Sequence, residues 1–339
     1  REVKARFYDL DDRQILGGVV VGAFAVASFL STGAHAVLAP LLEPDIPFEK
    51  RRNAALASLR GFNFAAFWSP FIAPVAFVLQ QMPDLNASLV ILVGMACGLI
   101  GLGIELIVAG TSWAGLQRIL RGLMPLLPGA VVMAVALIGF TLWRRVTTIE
   151  AVVVVVVPAL CALFLIWNGG RTATEIVRAS YGGIAYASDE LLLLCAATVF
   201  ATVMSNVPEV AAGIAPLFQG LPPLVLLAAI AAFMLAVGVL GCHPSIPAAI
   251  LISAFAMPSP TLDRFVLAET VILTWCLAAM VSPAGNTVLV AGQMYRVPYT
   301  KLILSRNLVD VAVGSTVVVA LMTAVNSGSL MVLSSAFAR

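Results

Sequence analysis

Charge is what this sequence has least of. Only 11% of its 339 residues are charged, where soluble domains carry about a quarter. The net charge is +2, with no basic tail and no aromatic–basic patch, which excludes a nucleic-acid partner. Histidine occurs only twice, as His35 and His243. The five cysteines (Cys97, Cys161, Cys195, Cys242, Cys276) stand singly, with no metal or redox spacing, and read as small core hydrophobes. There is no nucleotide-binding glycine loop, no HExxH and no serine–histidine–acid arrangement. An enzyme, a metal site and an organic cofactor are therefore not expected. The chain opens on Arg1 rather than Met, and the polar REVKARFYDLDDRQ fits neither a signal nor a transit peptide.

Apolar residues are what the chain has instead. At 61% hydrophobic and a mean hydropathy of +1.04, it reads as an all-α polytopic membrane protein in a lipid bilayer. Apolar segments fall at about 15–31, 34–42, 54–81, 87–110, 123–143, 149–168, 190–214, 221–240, 246–257, 264–294 and 307–325. Two of them, 34–42 and 246–257, are too short to cross. Each follows a Gly- and His-containing tip, STGAH at 31–35 or GCHPS at 241–245. Such a half-length helix predicts a re-entrant hairpin, although a short core helix reads the same way. The stretch 171–189 is too polar to span and suits an interfacial helix. Gly94 and Gly98, four apart, would let helices approach closely.

The long segment from Phe265 is interrupted by Pro283, Gly285 and Asn286. Proline removes a donor and glycine lowers helix propensity. At membrane depth such a break survives only where protein or a water-filled cavity satisfies the backbone. An earlier region echoes it. His35 pairs with His243, 208 residues on, and Ser69-Pro70 with Ser282-Pro283, 213 residues on. In both copies a histidine tip is followed by a half-length helix and then by a Ser-Pro break.

Crossing every long segment puts Arg1, Lys4, Arg6, Arg13, Lys50, Arg51, Arg52, Arg118, Arg121, Arg171, Arg178, Arg296, Lys301 and Arg306 on the amino-terminal side. The other side holds Arg144, Arg145, Arg264 and Arg339. The excess places the amino terminus in the cytoplasm. The two copies then enter from opposite sides, as inverted repeats with broken helices do in secondary transporters. About a hundred residues before the second copy have no counterpart before the first. Two to three amino-terminal helices are thus expected to be missing, and a full-length relative would have about 440 residues.

The order of hairpin, broken helix and final helix resembles the ion transporter superfamily, in particular its divalent-anion/sodium symporter (dicarboxylate transporter) branch. SPAGNTVLVAGQMYRVPYTKLILSRNLVDVAVGSTVVV at 282–319 carries the resemblance most clearly, with its Ser282–Asn286 turn and its Arg306-Asn307-Leu308 step. The resemblance implies a homodimer in a bacterial inner (plasma) membrane, in which a substrate-bearing domain moves against a scaffold. It also implies a di- or tricarboxylate or another anion as solute, and Na+ as coupling ion. This chain departs from the family's Ser-Asn-Thr tips, and its histidines there point to H+ instead.

The expected organisation is a polar cytoplasmic segment over 1–14, a first repeat core over 15–110, and scaffold plus interfacial helices over 111–189. A second repeat core over 190–325 and a tail over 326–339 complete it. The candidate solute site comprises Ser31, Thr32, His35, Ser69, Pro70, His243, Ser245, Ser282, Gly285, Asn286 and Thr287. Hydroxyls, an amide, imidazoles and helix amino termini can all hold an anion, though the same groups can simply cap the broken ends. Asn206, Glu209 and Asp310 are candidate ion-coupling residues, since intramembrane ionisable groups are functional by default. Arg60, Glu105 and Glu269 lie nearer segment ends, where long side chains snorkel. The expected function is secondary active transport of a small anionic solute by alternating access. A sodium/proton antiporter or oxyanion exporter on the same scaffold is the first alternative. A non-transporting membrane subunit or receptor is the second.

Overall fold

The computed structural model of the chain describes residues 12–42, 45–124, 221–255 and 262–329, with scattered positions between 132 and 207. Among the described residues every regular element is helical. The chain forms two compact bodies, Arg1–Pro125 with Phe200–Arg339, and Leu126–Val199. In the second, Phe140 and Trp143 meet edge to face at 6.2 Å, with the Arg144 guanidinium over the indole. Everything below belongs to the first.

Its first half opens with α1 (Asp12–Leu30), which turns through Ser31–Thr32 into the short α2 (Gly33–Leu38). Ser31 takes a φ of 49° to make that turn. Helix α3 (Phe48–Ala66) stops ahead of Ser69-Pro70, and α4 (Ala73–Gln81) resumes beyond them. Pro70 lacks an N–H, and its ring disfavours a helical conformation at Ser69. After α5 (Ala87–Val108) comes α6 (Trp113–Leu123). The side chains of Asn86 and Ser112 cap these two helices by accepting the N–H groups of Leu89 and Gly115.

The second half repeats the sequence of events. Helix α7 (Pro223–Val239) turns through Leu240–Pro244 into α8 (Ser245–Ala254). Helix α9 (Arg264–Ala279) is capped by the Asp263 carboxylate, which accepts from Phe265 and Val266. It stops before Ser282-Pro283, and α10 (Asn286–Tyr295) resumes. The short α11 (Tyr299–Ile303) leads to α12 (Asn307–Ala324). Both expected half-length helices and both expected interruptions are present. Helix α6 was not expected, because Gln117, Arg118 and Arg121 break its apolar run. Segments 149–168 and 190–214, the stretch 171–189 and most of 123–143 lie outside the described residues.

The packing follows one rule in both halves. The first helix of each hairpin lies along the long half of its own broken helix, α1 on α3 and α7 on α9. The closing helices α5 and α12 pack on those same long halves. The halves are joined by exchange: α2 packs on α10 and α8 on α4, while α3 meets α10 and α9 meets α4. Helix α9 is buried from Val266 to Ala278, so it forms the centre of the core. Gly94 lets α5 close on the first interruption, because a β-carbon there would collide with the Phe67 carbonyl oxygen.

Helix α5 and the stretch Asn307–Gly328 are long and apolar enough to cross a membrane. They bury little of that surface, and Ile100, Ile104 and Ile107 on α5 and Val309, Val313 and Val317 on α12 face outward. Apolar faces of this extent suit a lipid or protein environment better than water.

Arg60, Glu105 and Glu269 do not snorkel at segment ends. Arg60 is buried in α3, where it pairs with Glu105 of α5 at 2.5 Å and with Asp310 of α12 at 2.6 Å. Its Nε also donates to the Asn307 side chain at 3.3 Å. One guanidinium thus ties the first half to the second, and Asp310, also 3.4 Å from Arg306, serves that contact. Breaking a buried ion pair by removing one partner strands the other charge. Arg60→Ala is therefore expected to destabilise the protein by about 3 kcal/mol. In a detergent melting series, adding Glu105→Gln and Asp310→Asn should return most of that loss.

Candidate functional site

Ending a helix inside a protein leaves backbone donors and acceptors without intrahelical partners. At both interruptions a serine supplies part of what is missing. Ser69 Oγ accepts the N–H of Phe71 at 3.2 Å and donates to the Ser28 carbonyl at 2.7 Å. Ser282 Oγ accepts the N–H of Ala284 at 3.3 Å and donates to the Cys242 carbonyl at 3.3 Å. Ser28 lies in the last turn of α1 and Cys242 in the turn after α7. Each serine therefore caps its own break and fastens it to the hairpin of its own half.

The histidines are placed by the same logic. The His35 ring packs 5.5 Å from Phe62, and its Nδ1 is hydrogen-bonded to Ser58 Oγ at 2.8 Å. The His243 ring stands edge-on to Trp275 at 6.1 Å. Phe62 and Trp275 are each seven residues before the break serine, two turns or about 10 Å along the helix. His243 Nδ1 bonds to Ser245 Oγ at 2.7 Å and accepts the Ser245 N–H at 3.3 Å. A nitrogen that accepts a backbone N–H carries no proton, so these partners assign the Nε2–H tautomer to His243. Both imidazoles thus lie beside the long half-helices rather than in the breaks.

The two interruptions differ in what they leave over. In the first, Ser69 is fully used, and Pro70 and Pro74 remove donors near the start of α4. In the second, α10 begins with non-proline residues at Asn286 and Thr287. The Thr287 hydroxyl is buried without a hydrogen-bond partner, and Asn286 is half-buried. Gly285 is needed just before them, since a β-carbon would lie 2.5 Å from the Ala279 carbonyl oxygen. Pro283 is exposed. Ser31 and Thr32 are half-buried at the first tip, and the Thr32 side chain does not cap α2.

His35 Nε2 on α2 and Asn63 Oδ1 on α3 are among the other buried polar atoms without a hydrogen-bond partner, and the buried Tyr295 hydroxyl on α10 meets the Ser58 side chain. Those three helices pack on one another, so these groups form a polar seam along α10. Ser58, Asn63 and Tyr295 were missed in the sequence. Carrying the 213-residue echo from the serines back to Phe62 and Trp275 would have drawn attention to the helix face beside them. Asn206 and Glu209 lie outside the described residues. Among the described residues no group of three or more His, Cys, Asp or Glu could hold a metal ion.

The shorter Ser69 tether should matter more than its counterpart. Ser69→Ala is expected to cost about 1–3 kcal/mol and to speed amide hydrogen exchange over 67–72 and around the first tip. Ser282→Ala should do the same over 280–285 and the second tip, to a smaller extent. Mass-spectrometric exchange on the two variants checks the ranking. No protein-family model and no curated protein matches the chain.

Proposed function

We propose that this protein is a polytopic secondary transporter of a small anionic solute, such as a carboxylate, working by elevator-type alternating access. The observation that carries the reading is the exchange packing, in which each half lays its hairpin and the long half of its broken helix against the short half-helix of the other. A pattern that maps onto itself when the halves are exchanged suits a pseudo-two-fold axis. The positive-inside count favours that axis lying in the membrane plane, as in inverted-repeat transporters.

The solute class follows from donors. The start of α10 offers backbone N–H groups, the favourable end of the helix dipole, the Asn286 amide and the Thr287 hydroxyl. These groups suit a carboxylate or a comparable oxyanion. His35, Ser69, His243, Ser245 and Ser282 hold the hairpins and interruptions in register, and the half-buried Ser31 and Thr32 stand at the first tip. The resemblance adds a homodimer, an inner-membrane location and H+ or Na+ as coupling ion. Antiport on the same scaffold would need a free carboxylate as carrier, and the Arg60 pair leaves Asp310 poorly suited to that part.

Reconstituted in proteoliposomes, the full chain should take up radiolabelled succinate or citrate. Asn286→Ala should lower the initial rate by about tenfold or more, the loss of a charge-assisted hydrogen bond or two, with unchanged melting. Absence of flux for every carboxylate tried, with binding intact, would sink the transporter reading.

A further inference from the structure

Glu269 is the one ionisable side chain of the central helix α9 beyond its first residue, apart from the thiol of Cys276. It is 0% exposed, and neither carboxyl oxygen has a hydrogen-bond partner. An ionised carboxylate in such a place loses its hydration and gains nothing in return. It must take up a counter-charge, either a proton or a cation.

The surroundings discriminate between the two. Cys97 of α5 and Cys276, two turns further along α9, stand within electrostatic reach of Glu269. Thiols are poor ligands for hard cations such as sodium. The hydroxyls of Thr270 and Thr274 already donate to the carbonyls of Val266 and Thr270. Of the helices packed on α9, α4, α7 and α8 carry no titratable side chain, and α10 carries only Tyr295. Helix α3 brings Arg60, held by Glu105 of α5 and Asp310 of α12, together with its charged first turn, Glu49 to Arg52. Arg264, at the start of α9, is paired with Asp84 at 2.9 Å. Among the described residues, therefore, no cationic side chain pairs with Glu269 and no hydrogen bond reaches its carboxyl oxygens. A proton needs only one lone pair.

We infer that Glu269 is the proton-binding site of this protein and carries the coupling proton through the transport cycle, an inference that rests on the transport reading above. In the conformation described here the carboxyl is protonated. It gives up the proton when the opposite conformation brings it to water. The balance is one proton bound at a carboxyl oxygen on one side and released from the same oxygen on the other.

Two measurements on the full chain test this. In a detergent without ester carbonyls at neutral pH, the infrared spectrum should show the C=O stretch of a protonated carboxylic acid, and Glu269→Gln should abolish that band. Its absence in the unsubstituted protein, or its persistence in the variant, would overturn the inference whatever the transport result. Glu269→Leu should melt no lower than the parent, because an unpaired carboxyl in an apolar site contributes nothing to the fold. A large drop in melting would indicate a structural role instead.

In vesicles loaded with a pH-sensitive dye, succinate entry should bring protons with it. Glu269→Gln should exchange succinate without any proton signal. Unaltered coupling in the variant would overturn the inference. No succinate or citrate movement by the parent protein would instead count against the transport reading, and the infrared result would then decide the proton site alone.

Discussion

A helix interrupted in apolar surroundings leaves backbone groups that water would normally satisfy, and the rest of this structure follows from how they are satisfied. The solution is the same at both interruptions. A serine placed at the break turns one hydroxyl into both a cap for its own chain and a tether to a neighbouring carbonyl. The tether decides where the hairpin sits, and the hairpin in turn covers the half-helix of the opposite half. Hairpin, break and exchange contact are thus one device. Removing the hydroxyl loosens all three.

The remaining polar burial divides into groups that are used up and groups that are left over. Arg60, Glu105, Asn307 and Asp310 form a satisfied cluster joining α3, α5 and α12, and such a cluster serves register more than stability. Thr287, Asn63, His35 Nε2 and Glu269 retain unsatisfied atoms although they are buried. Unsatisfied groups are costly, so their presence in the core calls for a role. Those beside α10 suit a solute. Glu269, set among apolar residues and thiols, suits a proton.

Much of the fold was legible in the sequence because its signals were strong and local. Proline and glycine within long apolar runs located both interruptions, and two short runs after histidine tips located α2 and α8. What escaped depended on tertiary contact. Arg60 and Glu269 looked like snorkelling residues, because distance from a segment end says nothing about which neighbour lies over it. Helix α6 was missed because an amphipathic helix has no long apolar run. The histidines were expected at the hairpin tips, but not which partners they would meet: their rings pack against Phe62 and Trp275, a placement set by side-chain packing across the hairpin. The two interruptions differ for a physical reason: prolines remove donors near the start of the first short half-helix and none stands at the start of the second.

The most direct test of a solute site at the second interruption is thiol labelling of Asn286→Cys in a background without the native cysteines. A membrane-impermeant reagent should modify the introduced thiol, and succinate should protect it in a concentration-dependent way. A thiol at that position that stays inert from both sides of the membrane, or reacts without regard to any anion, would contradict the placement.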